Sequence, residues 1–361
     1  MAPSIDQLLN QVGSLPAGQQ RIFNRIFTVE AVKSTLCPPE QMLPWIEHQF
    51  GSVEKVLEQP LVRVTNLITL EQSLFNPLRS LRPRNFSRVN AAGVPAVPRE
   101  ADTFSEPLEK TPANIFGRVK GKFCVTAGNV ASCEQYHCVI IFNNTGPLDF
   151  GPGEVADYLE TGQRWMQAAH DYDPAARYGL FLWNCSYRAG ASISHGHAQA
   201  VLVRGSHYAR IEYLKQASRE YKTRYGNSYF HDLFDVHRLL GLGFSAGDAR
   251  VMACLSPLKL NEVMVLADGL SAGAMNAVYR VLACFRDRLK VTSFNLGIAF
   301  PPIGSKDGWD GFPVIARMLD RGDAGDMSSD ISSMELWGAN VISSDPFETA
   351  KALRGAFEAD N

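Results

Sequence analysis

One stretch constrains this chain more than any other: Gly190-Ala191-Ser192-Ile193-Ser194-His195-Gly196-His197-Ala198-Gln199, followed at once by Ala200-Val201-Leu202-Val203. Small residues make a turn, and the apolar run behind it predicts a strand. Alternate positions of a strand share a face, so His195, His197 and Gln199 are expected to point the same way. Two imidazoles and a carboxamide side by side form a poor hydrophobic layer and a good surface for handling phosphate. A single histidine in such a strand would read as a partly buried residue satisfied by neighbouring backbone. A pair of them, with Gln199 and a Gly-Ala-Ser entry, favours chemistry.

The 361 residues can bury a large core, as two domains or one large one. With 45% hydrophobic and 20% charged residues the composition is that of an ordinary soluble protein. A formal net charge of −2 argues against binding duplex nucleic acid, which needs concentrated basic surface, but leaves room for a pocket that takes one nucleotide. No leader pattern opens the sequence, and its apolar runs fall far short of the about 18 residues of a membrane span. Neither nucleic acid nor membrane is therefore an expected partner. Seven cysteines without close pairs predict reduced thiols and a cytoplasmic location.

The first 60 residues read as helical: Ile5, Leu8 and Leu9 share a face, Ile22, Phe23, Ile26 and Phe27 follow, and 42–57 is a third candidate. Residues 75–116 are proline-rich and irregular, with Arg79, Arg82, Arg84 and Arg88 forming either a solvated patch or a reach toward phosphate. Strands are predicted at 122–126, 137–142, 178–183 and 195–203, with an amphipathic helix at 154–170. A similar succession returns as strands 250–256 and 262–266, helix 272–289, and strands 294–300 and 312–318, after a helical connection at 213–242. This order suggests a degenerate internal repeat, with two similar layers packed together. The expected fold is α+β, with an N-terminal extension (1–115), a catalytic half (116–212) and a second, degenerate half (213–361), each half an antiparallel sheet with packed helices.

Imidazole is a suitable nucleophile for phosphorus, since one ring nitrogen can attack while the other holds its proton against an acceptor. Neutral donors nearby would stabilise the charge that builds on the phosphoryl oxygens. Gln199, Ser192, Ser194 and the backbone amides of the turn are placed to supply them. The stretch from Gly190 to Gln199 resembles the G-x-S-x-x-H-x-H-x-Q motif of the histidine triad superfamily, in the transferase branch that holds galactose-1-phosphate uridylyltransferases and diadenosine tetraphosphate phosphorylases. The resemblance covers 121–356 and is most specific over 184–199. It implies two histidine-triad-like halves, with His197 as covalent nucleophile, Gln199 steadying the nucleotidyl group, and Ser192 and Asn184 on the phosphates. His195 corresponds to the first histidine, a zinc ligand in some uridylyltransferases. Arg188 is added on physical grounds as a phosphate clamp. The resemblance also implies a lysine or arginine near the terminal phosphate, and Lys306, in the loop after 294–300, reads as either that phosphate contact or an exposed loop lysine. In the second half, the Phe294-Asn295-Leu296 and Met334-Glu335-Leu336 segments resemble core strands of the same branch. Arg317, Arg321, Ser328 and Ser329 are polar oddities beside them, and Asp330 suits a turn or cap.

Small hydrolases of the superfamily carry a third histidine where Gln199 stands. Glutamine cannot serve as acid or base near neutral pH, which favours transfer to a phosphate-bearing acceptor, or phosphorolysis, over hydrolysis. No metal or other cofactor is expected. Cys37 stands alone before Pro38-Pro39, and Cys124, Cys133, His137 and His195 lack a recognised ligand spacing. His137 reads as a strand-end residue. The leading function is movement of a nucleoside monophosphate from a nucleotide sugar or dinucleoside polyphosphate; a homodimer is compatible with it. The alternatives are a hydrolase, with Ser194, His137 or a water replacing the third histidine, and a non-catalytic nucleotide-binding scaffold. No P-loop or Rossmann fingerprint is present.

Overall fold

The computed structural model describes residues 3–83, 102–326, 329 and 331–359. Helices α1 (Leu8–Ser14) and α2 (Ala17–Ile26) precede strand β1 (Phe27–Thr35), helices α3 (Leu43–Phe50) and α4 (Val53–Leu57), and strands β2 (Glu58–Asn66) and β3 (Gln72–Phe75). After α5 (Pro107–Lys110) come β4 (Cys124–Gly128), β5 (Tyr136–Phe142), α6 (Pro152–Tyr172), β6 (Ala176–Cys185) and β7 (His197–Arg204). Helices α7 (Ala209–Tyr225) and α8 (Tyr229–Leu239) lead to β8 (Gly243–Ala246), β9 (Ala249–Ala253), β10 (Leu260–Ala267) and α9 (Ala272–Ala283). Strands β11 (Phe294–Ala299), β12 (Val314–Asp320) and β13 (Ala339–Ile342) and helix α10 (Pro346–Glu358) complete the fold.

The architecture is α+β, and the repeat is visible in its topology. A nine-stranded antiparallel sheet runs β4-β5-β7-β6-β11-β12-β10-β9-β8. Each half contributes a strand-strand-helix-strand-strand unit (β4, β5, α6, β6, β7 and β9, β10, α9, β11, β12), in which the last strand lies between the second and third; β8 is added at the far edge of the second. The halves are not stacked as two layers: β6 pairs with β11 edge to edge, making one continuous sheet. Alternation explains why one face is dry. Phe181, Trp183 and Cys185 of β6, Phe294, Leu296 and Ile298 of β11, and Ala198, Ala200 and Leu202 of β7 are all buried. Helix α6 packs there through Val155, Tyr158, Leu159, Trp165 and Met166. Gly162 permits a close approach, since a Cβ there would stand 2.8 Å from the Phe181 ring.

The N-terminal region is not the helical extension the apolar spacing suggested. The run Ile22, Phe23, Ile26, Phe27 straddles the end of α2, and the chain then enters β1, which pairs with β2 over its full length. Strands β1-β2-β3-β13 form a second sheet, the last pair parallel. It docks on the second half: Asn66 Nδ2 donates to the Tyr229 hydroxyl (2.9 Å), Ser73 Oγ to the Pro257 carbonyl (2.7 Å), and Arg317 bridges Glu71 (2.6 Å) and Glu262 (2.6 Å). Arg84 and Arg88 lie outside the described residues. Met334-Glu335-Leu336 is not a strand but leads into a 3-10 turn, Glu335–Trp337, with the strand beginning at Ala339. Among the described residues no helix is long and apolar enough to cross a membrane.

His237 on α8 is buried with its ring locked in one neutral form. Nδ1–H donates to the Leu233 carbonyl (2.7 Å), and Nε2 accepts the Leu255 N–H (3.2 Å). Burial pushes its pKa down to about 4. The unfolded chain takes up this proton near about pH 6.5 and the folded chain does not, so stability is full above that pH and falls as pH drops toward 4. The contribution is about 3 kcal/mol. Urea midpoints are expected to fall between pH 7.5 and pH 4.5, and His237→Gln to flatten that slope.

Candidate active site

The register of β7 between its neighbours builds the site. Gln199 pairs with Val139 on β5 and Leu182 on β6, and the same row continues across the seam to Gly297 on β11 and Arg317 on β12. This row faces away from α6. Gln199, Leu182 and Gly297 are half-buried, and among the described residues nothing lies within 4 Å of where a Gly297 Cβ would stand. A strand glycine with empty space above it lets a ligand approach the backbone closely. Two residues along, Asn184 pairs with Asn295. Asn295 Nδ2 donates to Asn184 Oδ1 (2.7 Å) and to the Ala189 carbonyl (2.8 Å), while its Oδ1 accepts from Arg321 Nη1 (2.6 Å). The Nδ2 of Asn184 is thus left without a partner among the described residues.

His197 begins β7 on the same face as Gln199, opposite Ile141, and is buried, with 7% of its surface exposed. Its Nδ1 lies 2.8 Å from the His195 carbonyl. A carbonyl only accepts, so Nδ1 carries the proton and Nε2 keeps its lone pair. Burial lowers the pKa of the ring, the His195 carbonyl opposes that shift, and the neighbouring His195 ring adds to it. Phe104 stands edge-on to both imidazoles, with centroids 5.4 Å from His197 and 5.9 Å from His195. Gly196 between them has a steric reason: a Cβ there would meet the Phe142 ring at 2.9 Å and the Asn144 carbonyl at 3.1 Å.

His195 departs from the period-two expectation. It lies before the strand, and its ring is held by two acceptors, Asp102 Oδ2 at Nδ1 (2.7 Å) and the Phe142 carbonyl at Nε2 (2.9 Å). Gln199 is steered from β5. The Cys133 N–H points at His137 Nδ1 (3.3 Å), which places the ring proton on Nε2, and Nε2–H donates to Gln199 Oε1 (2.7 Å). In that tautomer Asn129 Nδ2, 3.1 Å from the same nitrogen, is a contact and not a bond. The Gln199 amide hydrogens are left for a ligand.

The remaining sequence candidates divide. Ser192 and Ser194 are exposed on the turn, which Ser186 enters at φ +71° and Gly190 passes at φ +101°. Arg188 does not reach toward His197: it donates to the carbonyls of Arg321 and Asp326, tying the turn to the loop after β12. Arg188 lines a polar cavity there with Arg79, Arg82, Lys259 and Arg321. Lys306 is exposed beside the start of β6, where Ile303 bonds Arg177, roughly 23 Å along the strand from Asn184. It is not brought to the group. Ser329 makes a local turn with Ile331, and Ser328 and Asp330 lie outside the described residues. Among the described residues no three His, Cys, Asp or Glu side chains are grouped to hold a metal ion. Cys124 sits against Asp157, Cys133 against His137, and both nitrogens of His195 face protein acceptors. Asp102 and Phe104 had no sequence signal; they fall in a stretch that reads as irregular chain, 93 residues from His195.

No family model matches the chain, and no curated protein matches its sequence. Solved structures do share its fold. One is an ADP-glucose phosphorylase from Arabidopsis thaliana with bound ADP-glucose, at TM-score 0.61 and 15% identity over 80% of this chain and 96% of that one. A uridylyltransferase gives 0.57 and 14% over 83% and 99%. A GalT-like protein from Arabidopsis thaliana gives 0.55 and 14% over 69% and 90%. At such identities the likeness is one of fold.

The two glycines separate structural from ligand-facing roles. Gly196→Ala is expected to lower stability by about 1–3 kcal/mol, as overpacking does. Gly297→Ala, with open space above it, is expected to leave the urea midpoint unchanged or slightly raised.

Proposed function

We propose that this chain is a nucleotidyltransferase or phosphorylase that carries a nucleoside monophosphate on His197. The observation that supports it most is the tautomer: with Nδ1–H donated to the His195 carbonyl at 2.8 Å, the Nε2 lone pair is free to attack. Attack on an α-phosphorus forms an N–P bond as the bond to the bridging oxygen breaks, and the distal phosphate or sugar phosphate leaves with the electron pair. An oxygen of a second phosphate then attacks the same phosphorus, and the N–P electrons return to Nε2. The amide hydrogens of Gln199, held outward by His137, and Nδ2 of Asn184 are the side-chain donors for the phosphoryl oxygens. Ser192 and the backbone amides of its turn add to them. Hydrolysis is disfavoured because Gln199 cannot activate water, and the lone-pair nitrogen of His137 is turned to the Cys133 N–H.

The acceptor is a phosphate-bearing small molecule. Beyond the Asn184–Asn295–Arg321 chain lies the polar cavity, of about 200 Å³, where the guanidinium groups of Arg79 and Arg82 have no partner among the described residues. The donor is a nucleotide sugar or dinucleoside polyphosphate. The histidine step calls on no metal-activated water, so the reading includes no metal or other cofactor.

The test measures nucleotide release from ADP-glucose, UDP-glucose and diadenosine tetraphosphate, each with and without inorganic phosphate or a sugar 1-phosphate. Release is expected to depend on the acceptor, to vanish in His197→Ala, and to fall about 10²-fold in Gln199→Ala. Release at one rate with or without acceptor would make the chain a hydrolase and contradict this reading. Because burial holds the His197 proton affinity below that of a free imidazole, the rate should stay level as pH falls to about 6.5 and decline only below it.

A further inference from the structure

We infer that Asp102 is a positioning residue for the nucleophile: it clamps the His195 ring and, through it, the backbone carbonyl that fixes the His197 tautomer. The catalytic consequence rests on the function proposed above; the clamp itself does not.

His195 Nδ1 lies 2.7 Å from Asp102 Oδ2 and Nε2 lies 2.9 Å from the Phe142 carbonyl. Each ring nitrogen thus faces a fixed protein acceptor, one a carboxylate and one a backbone carbonyl. The pair is shielded from water, with 4% and 12% of the two side chains exposed. A charge-assisted bond in such surroundings is stronger than a neutral one. The rest of Asp102 holds its own segment: Oδ1 accepts the Phe104 N–H (2.9 Å), and the Asp102 carbonyl accepts the Ser105 hydroxyl (2.7 Å). This turn sets Phe104 against both imidazoles and over Ala127, Val139, Ile141 and Ile193.

The second anchor of His195 is itself rigid. The Phe142 ring stacks on Tyr158 of α6 with centroids 3.7 Å apart and planes 2° from parallel. Gly196 N–H donates to the Thr145 carbonyl (2.9 Å), and Phe142 N–H to the Gly196 carbonyl (3.1 Å). Held by its ring on one side and by Gly196 on the other, His195 has its carbonyl aimed at His197 Nδ1. Without the carboxylate, the ring loses one of its two anchors. The carbonyl is then free to turn, and His197 can place its proton on Nε2, where no lone pair meets phosphorus.

The experiment uses the full chain labelled with ¹⁵N-histidine at pH 7.5, with His195 and His197 assigned by single His→Gln variants. The wild type is expected to show His197 with a protonated Nδ1 and an unprotonated Nε2. Asp102→Ala should give His197 a mixture of tautomers. In the same variant kcat for transfer should fall at least tenfold while KM for the donor stays within twofold. A wild-type His197 with its ring proton on Nε2 overturns the inference, whether or not the variant folds; so does an Asp102→Ala spectrum matching the wild type. If no donor is turned over by the wild type, the proposed function fails, and the spectra still decide the clamp.

Discussion

The antiparallel pairing of β6 with β11 is the contact on which the site depends. It joins two strand-strand-helix-strand-strand units into one sheet and brings Asn184 opposite Asn295 and Leu182 opposite Gly297 at the seam. Because side chains alternate, burying Trp183 and Leu296 beneath α6 forces their neighbours to the other face. The apolar layer thus sets the direction of the polar one. A slip of one residue at this seam would bury the asparagines and expose the tryptophan.

The two halves use that outer face differently. In the second half it is closed: Arg317, in the same row as Gln199, is fully engaged with Glu71 and Glu262, and the N-terminal sheet lies over it. Burial pushes the Glu262 carboxyl up and Arg317 pulls it back, so the cluster holds only because its charges meet there. In the first half no second sheet docks among the described residues, and Gln199, Leu182 and Gly297 are left half-buried. The duplicated topology therefore supports one packed face and one available for a ligand. In the proposed reading, what prepares that face for chemistry is the His195 carbonyl, which holds the His197 proton on Nδ1.

Periodicity shows the central elements well. The amphipathic pattern of α6, the apolar run of β5 and the His197–Gln199 alternation all appear in the structure, as does the order of the repeat. Other features depend on contacts that no local pattern encodes. The helical spacing near Phe27 is an accident of a helix abutting a strand, and β1 is stabilised by pairing with β2, about thirty residues on. His195 belongs to the turn because its ring is claimed by Asp102 and the Phe142 carbonyl. Arg188 has a phosphate clamp's chemistry, yet backbone carbonyls from the loop after β12 take its donors. Lys306 follows the right strand at the wrong end. Motif spacing picks out His197 and Gln199; tertiary contacts show what orients them.

The central claim is that the Nε2 of His197 carries the nucleotidyl group. It is tested most directly by intact-mass spectrometry of the protein mixed with donor alone and quenched in denaturant at alkaline pH, where an N–P bond survives. The account predicts a mass increase of one nucleoside monophosphate, located to the peptide holding His197 and discharged when phosphate-bearing acceptor is added. Turnover without such an adduct, or an adduct that persists in His197→Ala, would contradict it.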